Sequence, residues 1–315
     1  MKRALIFATG CALLIALAWF AGAASIAKAL SDLGIAGLLI AGLIHLPTVA
    51  LMAVAFRLAG GKSHPLTDYM AARVVRDAAA DLLPFSQFGG FAAGLRILQL
   101  RGGAVITGAL AIFLDLVMEF AAKAPHTATG LALLIVLIPG SALVTPLAFL
   151  LAALVLASLL AVLFRARLRA ACAAAARRIL ARWAKGDSSA AIAAGFAAAR
   201  LLPSFALHVL CWFLGSLETY VVFALLHHPV TLAQAIIIDS LANTLKTFAF
   251  LIPAAAGVQE GAYVLICAAL GIGAAPAMAF SLARRAREML IGLPSLGLWN
   301  VLETRRRGTE DQGVR

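Results

Sequence analysis

The stretch Leu251-Ile-Pro-Ala-Ala-Ala-Gly-Val-Gln-Glu-Gly261 limits the fold of this chain more than any other. It lies within a long apolar region, yet it holds a helix breaker (Pro253), two glycines (Gly257, Gly261) and an amide–acid pair (Gln259, Glu260). The chain as a whole is 63% hydrophobic and 13% charged, where a soluble domain carries about a quarter charged residues. Its solvent is therefore a bilayer. In hydrocarbon, an interrupted helix leaves N–H and C=O groups unpaired, and the break survives only where protein or a water-filled cavity satisfies them. An ionisable residue at that depth marks a functional site by default. The remaining sequence reads as a scaffold that sets this break near the membrane midplane.

Other classes of function find no support. Cys11, Cys172, Cys211 and Cys267 are too scattered for a disulfide framework or a zinc site. The six histidines lack metal-ligand spacing, and neither a GxxxxGK phosphate loop nor a GxSxG elbow occurs. No metal and no cofactor are expected. The formal net charge of +12 points to anchoring on anionic lipid at the cytoplasmic surface, not to nucleic acid.

Taken in order, the chain gives about six full spans and two broken hairpins. Met1–Gly22 is basic and then apolar, and reads as a retained first span instead of a cleaved signal. Gly34–Phe56 is the second span. Residues 66–100 differ: Tyr69, Arg73, Arg76, Asp77 and Asp81 recur at helical spacing, after a Thr67/Asp68 cap. Two readings stand, an interfacial amphipathic helix with Arg73–Asp77 pairing or the first arm of a re-entrant hairpin. The second arm would follow a break at Pro84, Gln87, Gly89 and Gly90 and end near Arg96.

Ala104–Ala122 is a span with Asp115 and Glu119 on one face, extended beyond Pro125 by Gly130–Ile138. Glu119 has Lys123 within reach, whereas Asp115 lies roughly 16 Å in by helix rise and needs a partner. Ser141–Phe164 and Arg200–Leu226 are further spans, the latter with Glu218 inside. Between them, residues 165–187 hold seven basic side chains and one acid, a cytoplasmic basic loop. His227-His228-Pro229 reads as a plain turn. The second hairpin, residues 231–272, carries Asp239, Asn243 and Lys246 on one stripe before the break. In the last span, Ala277–Val301, Arg284, Arg285, Arg287 and Glu288 sit about 12–18 Å deep and require partners; Glu260, Asp239 and Glu288 are the candidates. A polar tail, 303–315, ends the single integral membrane domain 1–315.

With both termini cytoplasmic, 20 of 26 Lys and Arg residues fall on that side, counting Arg73, Arg76 and Arg96. The two breaks are then entered from opposite faces, each after a Leu-Leu-Pro or Leu-Ile-Pro step. That is the pattern of an inverted-topology repeat whose broken helices meet at the midplane.

The residues around both breaks carry a resemblance. Pro253-Ala-Ala-Ala-Gly-Val-Gln-Glu-Gly-Ala-Tyr263, Ala283-Arg-Arg-Ala-Arg287 and Arg76-Asp-Ala-Ala-Ala-Asp-Leu-Leu-Pro-Phe-Ser-Gln-Phe-Gly-Gly90 resemble the transmembrane flippase-like family of the lysylphosphatidylglycerol synthetases. The branch most similar is the one associated with hopanoid biosynthesis (HpnL-type). The family usually has glycines where this chain has Ala254–Ala256, and often an acid where it has Phe91. The resemblance implies a bacterial inner-membrane protein that moves a lipid between leaflets, without an aminoacyl-transferase domain. A hopanoid or an anionic or aminoacylated phospholipid would be the substrate, and lipid-biosynthesis proteins possible partners. In that reading Glu260, Gln259, Arg284, Arg285, Arg287, Asp239, Lys246, Asp115, Gln87 and Arg96 form the path, because guanidinium groups bind anionic headgroups bidentately. The alternatives are an intramembrane lipid-modifying enzyme, a non-catalytic partner in a lipid-synthesis complex, and a solute uptake transporter.

Overall fold

The computed structural model describes residues 23–61, 63–82, 86–164, 167, 198–248 and 257–313. Among them the chain is all-helical, with no strand. In order the helices are α1 (Ala23–Ala59), α2 (Leu66–Leu82), α3 (Ser86–Leu100), α4 (Val105–Leu137), α5 (Val144–Leu163), α6 (Ala198–Leu225), α7 (Leu232–Phe248), α8 (Val258–Ala269) and α9 (Ala274–Gly313). The expected first span Met1–Gly22, the breakers Pro84 and Pro253, and all but Arg167 of the basic 165–187 segment lie outside the described residues.

Among the described residues, three stretches are long and apolar enough to cross a bilayer by length and composition: Leu33–Ala59, Val105–Leu137 and Ala199–Leu225. The first begins where α1 is broken, at Gly34, whose φ of 59° and ψ of −176° only glycine adopts without strain. Residues before it therefore form a separate helical segment. Helix α4 runs through Pro125 without interruption and joins the two expected pieces into one helix of 33 residues. The Thr129 hydroxyl bonds the Pro125 carbonyl at 2.9 Å. α7 opens with a reciprocal capping box, Thr231 N–H to Gln234 Oε1 at 2.8 Å and Gln234 N–H to Thr231 Oγ1 at 3.2 Å. The Thr67/Asp68 cap expected for α2 does not form; Asp68 instead faces Arg101 and His64 at 3.4 and 3.8 Å.

Two helical hairpins, α2–α3 and α7–α8, are built into opposite ends of the molecule. The first belongs to an apolar cluster of Phe56, Tyr69, Val75, Ile97, Leu98 and Ile112, against which Leu298 and Leu302 pack. The second belongs to a separate cluster that joins Leu134, Phe223, Ile238, Tyr263, Ile266 and Phe280 to the turns at Ile138, Leu226 and Ile272. Packing follows a twofold pattern. α1 lies against α6; α2 lies on α9 as α7 lies on α4; α1 meets α9 as α6 meets α4.

Small residues close the first hairpin. A Cβ on Gly90 would stand 2.7 Å from the Arg76 carbonyl oxygen, and one on Gly94 would stand 3.2 Å from the Arg76 Cβ. Gly89 and Gly90 therefore lie inside α3, and not at the interruption as their composition implied; there Gly90 lets two backbones approach. Gly261 likewise falls within α8.

A candidate polar site between the hairpin tips

Between the two apolar clusters lies a layer of ionised side chains. Each long helix passes through it. α4 leaves the first cluster at Ile112, carries Asp115 and Glu119, and enters the second at Leu131. α9 leaves the second cluster at Ala283, carries Arg284, Arg285, Arg287 and Glu288, and reaches the first at Leu298. Taking charges out of water costs several kcal/mol each unless geometry and hydrogen bonds compensate, so the partners decide whether such a layer can exist.

In the N-terminal half, α2 supplies the cations and α4 the acids. Arg73 makes a bidentate pair with Glu119, both bonds 2.9 Å, and bonds Asp77 at 2.6 Å. Arg76 bonds Asp115 at 2.6 Å and Glu119 at 2.9 Å. His208 of α6 completes the shell of Asp115 at 2.9 Å. Asp115 and His208 are fully buried, and Arg73 and Arg76 are 3% exposed. The polar stripe of α2 thus faces the protein interior. An interfacial helix would present it to water, and Arg73 and Arg76 do not belong to the surface charge counted for orientation.

In the C-terminal half the signs are exchanged: α7 and α8 supply acids, and α9 the cations. Arg284 bonds Asp239 at 2.6 Å, and Asn243 bonds the same carboxylate at 2.8 Å. His126 reaches Asp239 through Ser216, with His126 Nε2 2.8 Å from the hydroxyl. Arg285 pairs with Glu260. The other oxygen of Glu260 accepts the Gly257 N–H at 2.8 Å, which ties the carboxylate to the start of α8, where Gly257 adopts φ 77°. Arg287 pairs with Glu218 of α6, and His45 of α1 joins both.

The hairpin tips meet in the middle. Lys246, in the last turn of α7, lies 3.6 Å from Asp81, in the last turn of α2. Glu288 of α9 is 3.7 Å from the same ammonium. Here the charges are accessible: Lys246 is 26% and Asp81 31% exposed, against none for Asp115 and Asp239. Nearby, Lys123 bonds Thr247 and sits 4.7 Å above the Trp212 ring. The layer therefore contains two classes of charge, one locked by several short contacts and one held by longer contacts alone.

Of the ten path residues read from the sequence, the structure brings Asp239, Lys246, Glu260, Arg284, Arg285, Arg287 and Asp115 into this layer. Gln259 is adjacent and buried, with both side-chain polar atoms lacking a hydrogen-bond partner. Arg96 lies elsewhere; it bonds Glu303 at 2.6 and 2.8 Å at the basic end of the molecule. The side chain of Gln87 lies outside the described ones. Glu119 pairs with the two α2 arginines and not with Lys123. Sequence reasoning passed over His45, His126 and His208. Their signal was present, an ionisable residue inside an apolar span.

Counting histidines as neutral, the layer is one positive charge short among the described residues. Its acids are Asp77, Asp81, Asp115, Glu119, Glu218, Asp239, Glu260 and Glu288. Its cations are Arg73, Arg76, Lys123, Lys246, Arg284, Arg285 and Arg287. No cluster of three or more His, Cys, Asp or Glu suited to a metal ion occurs among the described residues.

Comparison with known proteins gives one family. The model described as the lysylphosphatidylglycerol synthase TM region matches residues 7–294. No curated protein and no solved structure matches the chain.

Proposed function

The chain belongs to the lysylphosphatidylglycerol synthase TM-region family, and we propose that it is a translocase that carries a lipid headgroup across the bilayer at the meeting point of two re-entrant hairpins. The observation that carries this reading is the accessible contact of Lys246 with Asp81 and Glu288 at the hairpin tips, between two apolar ends. A headgroup crossing hydrocarbon needs polar partners at mid-depth while its tails stay in lipid. Charges held only by contacts of 3.6–3.7 Å can exchange partners with a headgroup. Those held as Asp115 is, by Arg76 at 2.6 Å and His208 at 2.9 Å, keep the helices in place.

The arrangement also supports an inverted repeat. α2 and α7 have 17 residues each, about 26 Å at 1.5 Å per residue, short of the ~30 Å core. They approach from opposite ends and meet tip to tip. With the basic end cytoplasmic, the first hairpin enters from the cytoplasm and the second from outside, in a bacterial inner membrane. The cargo class that suits this site has an anionic phosphate for Lys246. An anionic or aminoacylated phospholipid falls within that class.

The test is leaflet-resolved movement of headgroup-labelled lipids in liposomes that hold the purified protein, beside Lys246→Ala and Arg284→Ala. Accelerated crossing in wild type that Lys246→Ala reduces at least tenfold supports the reading. Equal rates in protein-free and protein-containing liposomes, with the protein folded and inserted, refute it.

A further inference from the structure

His45 presents a conflict that a fixed protonation state does not resolve. Its Nδ1 lies 2.9 Å from Glu218 Oε2 and also 2.9 Å from Arg287 Nη1. The carboxylate can only accept a hydrogen bond and the guanidinium can only donate one. Nδ1 must therefore carry a hydrogen to satisfy Glu218 and must lack one to satisfy Arg287. A neutral ring meets one demand or the other by its choice of tautomer; a proton added to a ring whose Nδ1 is bare moves the contact from Arg287 to Glu218.

His45 is the accessible member of the trio, 21% exposed against 6% for Glu218 and 5% for Arg287. The charged layer it adjoins holds one carboxylate more than it holds cations, so a single added proton balances it. Every charged group facing it is accounted for. Glu218 comes from α6; Arg287, Arg284 and Glu288 come from α9. α2 and α4 also pack on α1, but Arg73, Arg76, Asp115 and Glu119 pair among themselves. That group meets α1 at Met52, two helical turns from His45.

We propose that His45, with Glu218 and Arg287, is the binding site for a coupling proton of this translocase, an inference that rests on the translocation reading above. With Nδ1 bare, its lone pair accepts the Arg287 N–H and holds α9 to α1. A proton added to Nδ1 gives an imidazolium that donates to Glu218 Oε2 and repels the guanidinium. Arg287 then keeps Glu218 Oε1 and gains weight on Glu288, 3.9 Å away. Glu288 also contacts Lys246 at the hairpin tips, so the exchange at His45 alters the hold on the accessible ammonium. Protonation and headgroup binding are thereby linked through Arg287 and Glu288.

The experiment uses the full chain in liposomes, with the membrane potential clamped at zero and a headgroup-labelled phosphatidylglycerol as probe. Exchange between leaflets without a pH gradient tests translocation itself. A gradient of one pH unit then tests coupling: one proton per lipid predicts a final leaflet ratio shifted about tenfold, since one unit corresponds to 1.36 kcal/mol. In His45→Gln the final ratio is predicted to ignore the gradient. Exchange in wild type with a ratio near one under the gradient overturns the coupling and leaves the translocase standing. The absence of any exchange overturns both. A separate readout is the ¹⁵N resonance of His45 Nδ1 between about pH 5 and 8. It should titrate in wild type and change its midpoint in Glu218→Gln; an Nδ1 that keeps one state across that range overturns the site even if the gradient drives transport.

Discussion

Replacing Asp115 with alanine should be among the most damaging single changes in this protein. The carboxylate is fully buried and receives Arg76 at 2.6 Å, His208 at 2.9 Å and Arg73 at 3.4 Å. Its removal leaves a guanidinium that is 3% exposed with Glu119 and Asp77 as its remaining acids, and a histidine nitrogen without an acceptor. Breaking a buried pair by deleting one partner costs about 3–5 kcal/mol. At about 1.5 °C per kcal/mol for a chain of 315 residues, the melting temperature should fall by roughly 5–8 °C. Asp81→Ala is the control. Its carboxylate is 31% exposed and its one ammonium partner lies at 3.6 Å, so the cost should stay below about 1 kcal/mol. The assay is thermal unfolding of the purified variants in one detergent, followed by tryptophan fluorescence. Replacing both partners, Arg76→Met with Asp115→Leu, should recover much of the loss, because an apolar pair carries no stranded charge. If Asp115→Ala melts within 2 °C of wild type, or no earlier than Asp81→Ala, the division into locked and accessible charges is wrong.

Three further outcomes follow from the same geometry. Gly90→Val should destabilise the first hairpin by about 1–3 kcal/mol through overpacking, since even a Cβ there meets the Arg76 carbonyl at 2.7 Å; a shift of unfolding midpoint measures it. Arg96→Ala should cost less than about 1 kcal/mol, because its pair with Glu303 is 40% and 21% exposed on the two sides, and lipid movement in liposomes should be unchanged. Cysteines at positions 81 and 246, in a background free of Cys11, Cys172, Cys211 and Cys267, should be joined in high yield by a short thiol-to-thiol crosslinker. Low yield with both thiols reactive would separate the hairpin tips.

The charged positions of the site were legible in the sequence because an acid or arginine deep in an apolar run has no other explanation. Asp115, Asp239, Glu260 and Arg284 stand out on that ground alone. Their pairing was only partly legible. Arg287 was matched to acids nearby in the same hairpin and helix, whereas its main partner Glu218 is 69 positions away and its second, His45, 242 positions away. Local periodicity fixes which face of a helix a residue occupies, but not which distant helix that face meets. The Gly89-Gly90 pair shows a different limit. Glycine serves both to break a helix and to let two helices touch, and composition does not distinguish the uses; Gly90 packs on the Arg76 backbone within a continuous α3. The stripe on α2 was ambiguous for a related reason. Arg73, Arg76 and Asp77 suit water or buried counter-charges equally well, and only the position of α4 decides between them.

The central claim is that headgroups pass the hairpin tips, and photocrosslinking tests it most directly. A phospholipid with a photoreactive group on its headgroup, incorporated with the protein into liposomes and activated, leaves adducts that peptide mass spectrometry can place. Adducts should concentrate near Asp81, Lys246 and Arg284–Glu288, and an excess of unlabelled lipid with the same headgroup should compete them away. Adducts confined to the helix ends and the exposed apolar face of α5, at Phe149, Leu156 and Leu163, would contradict a path through the tips.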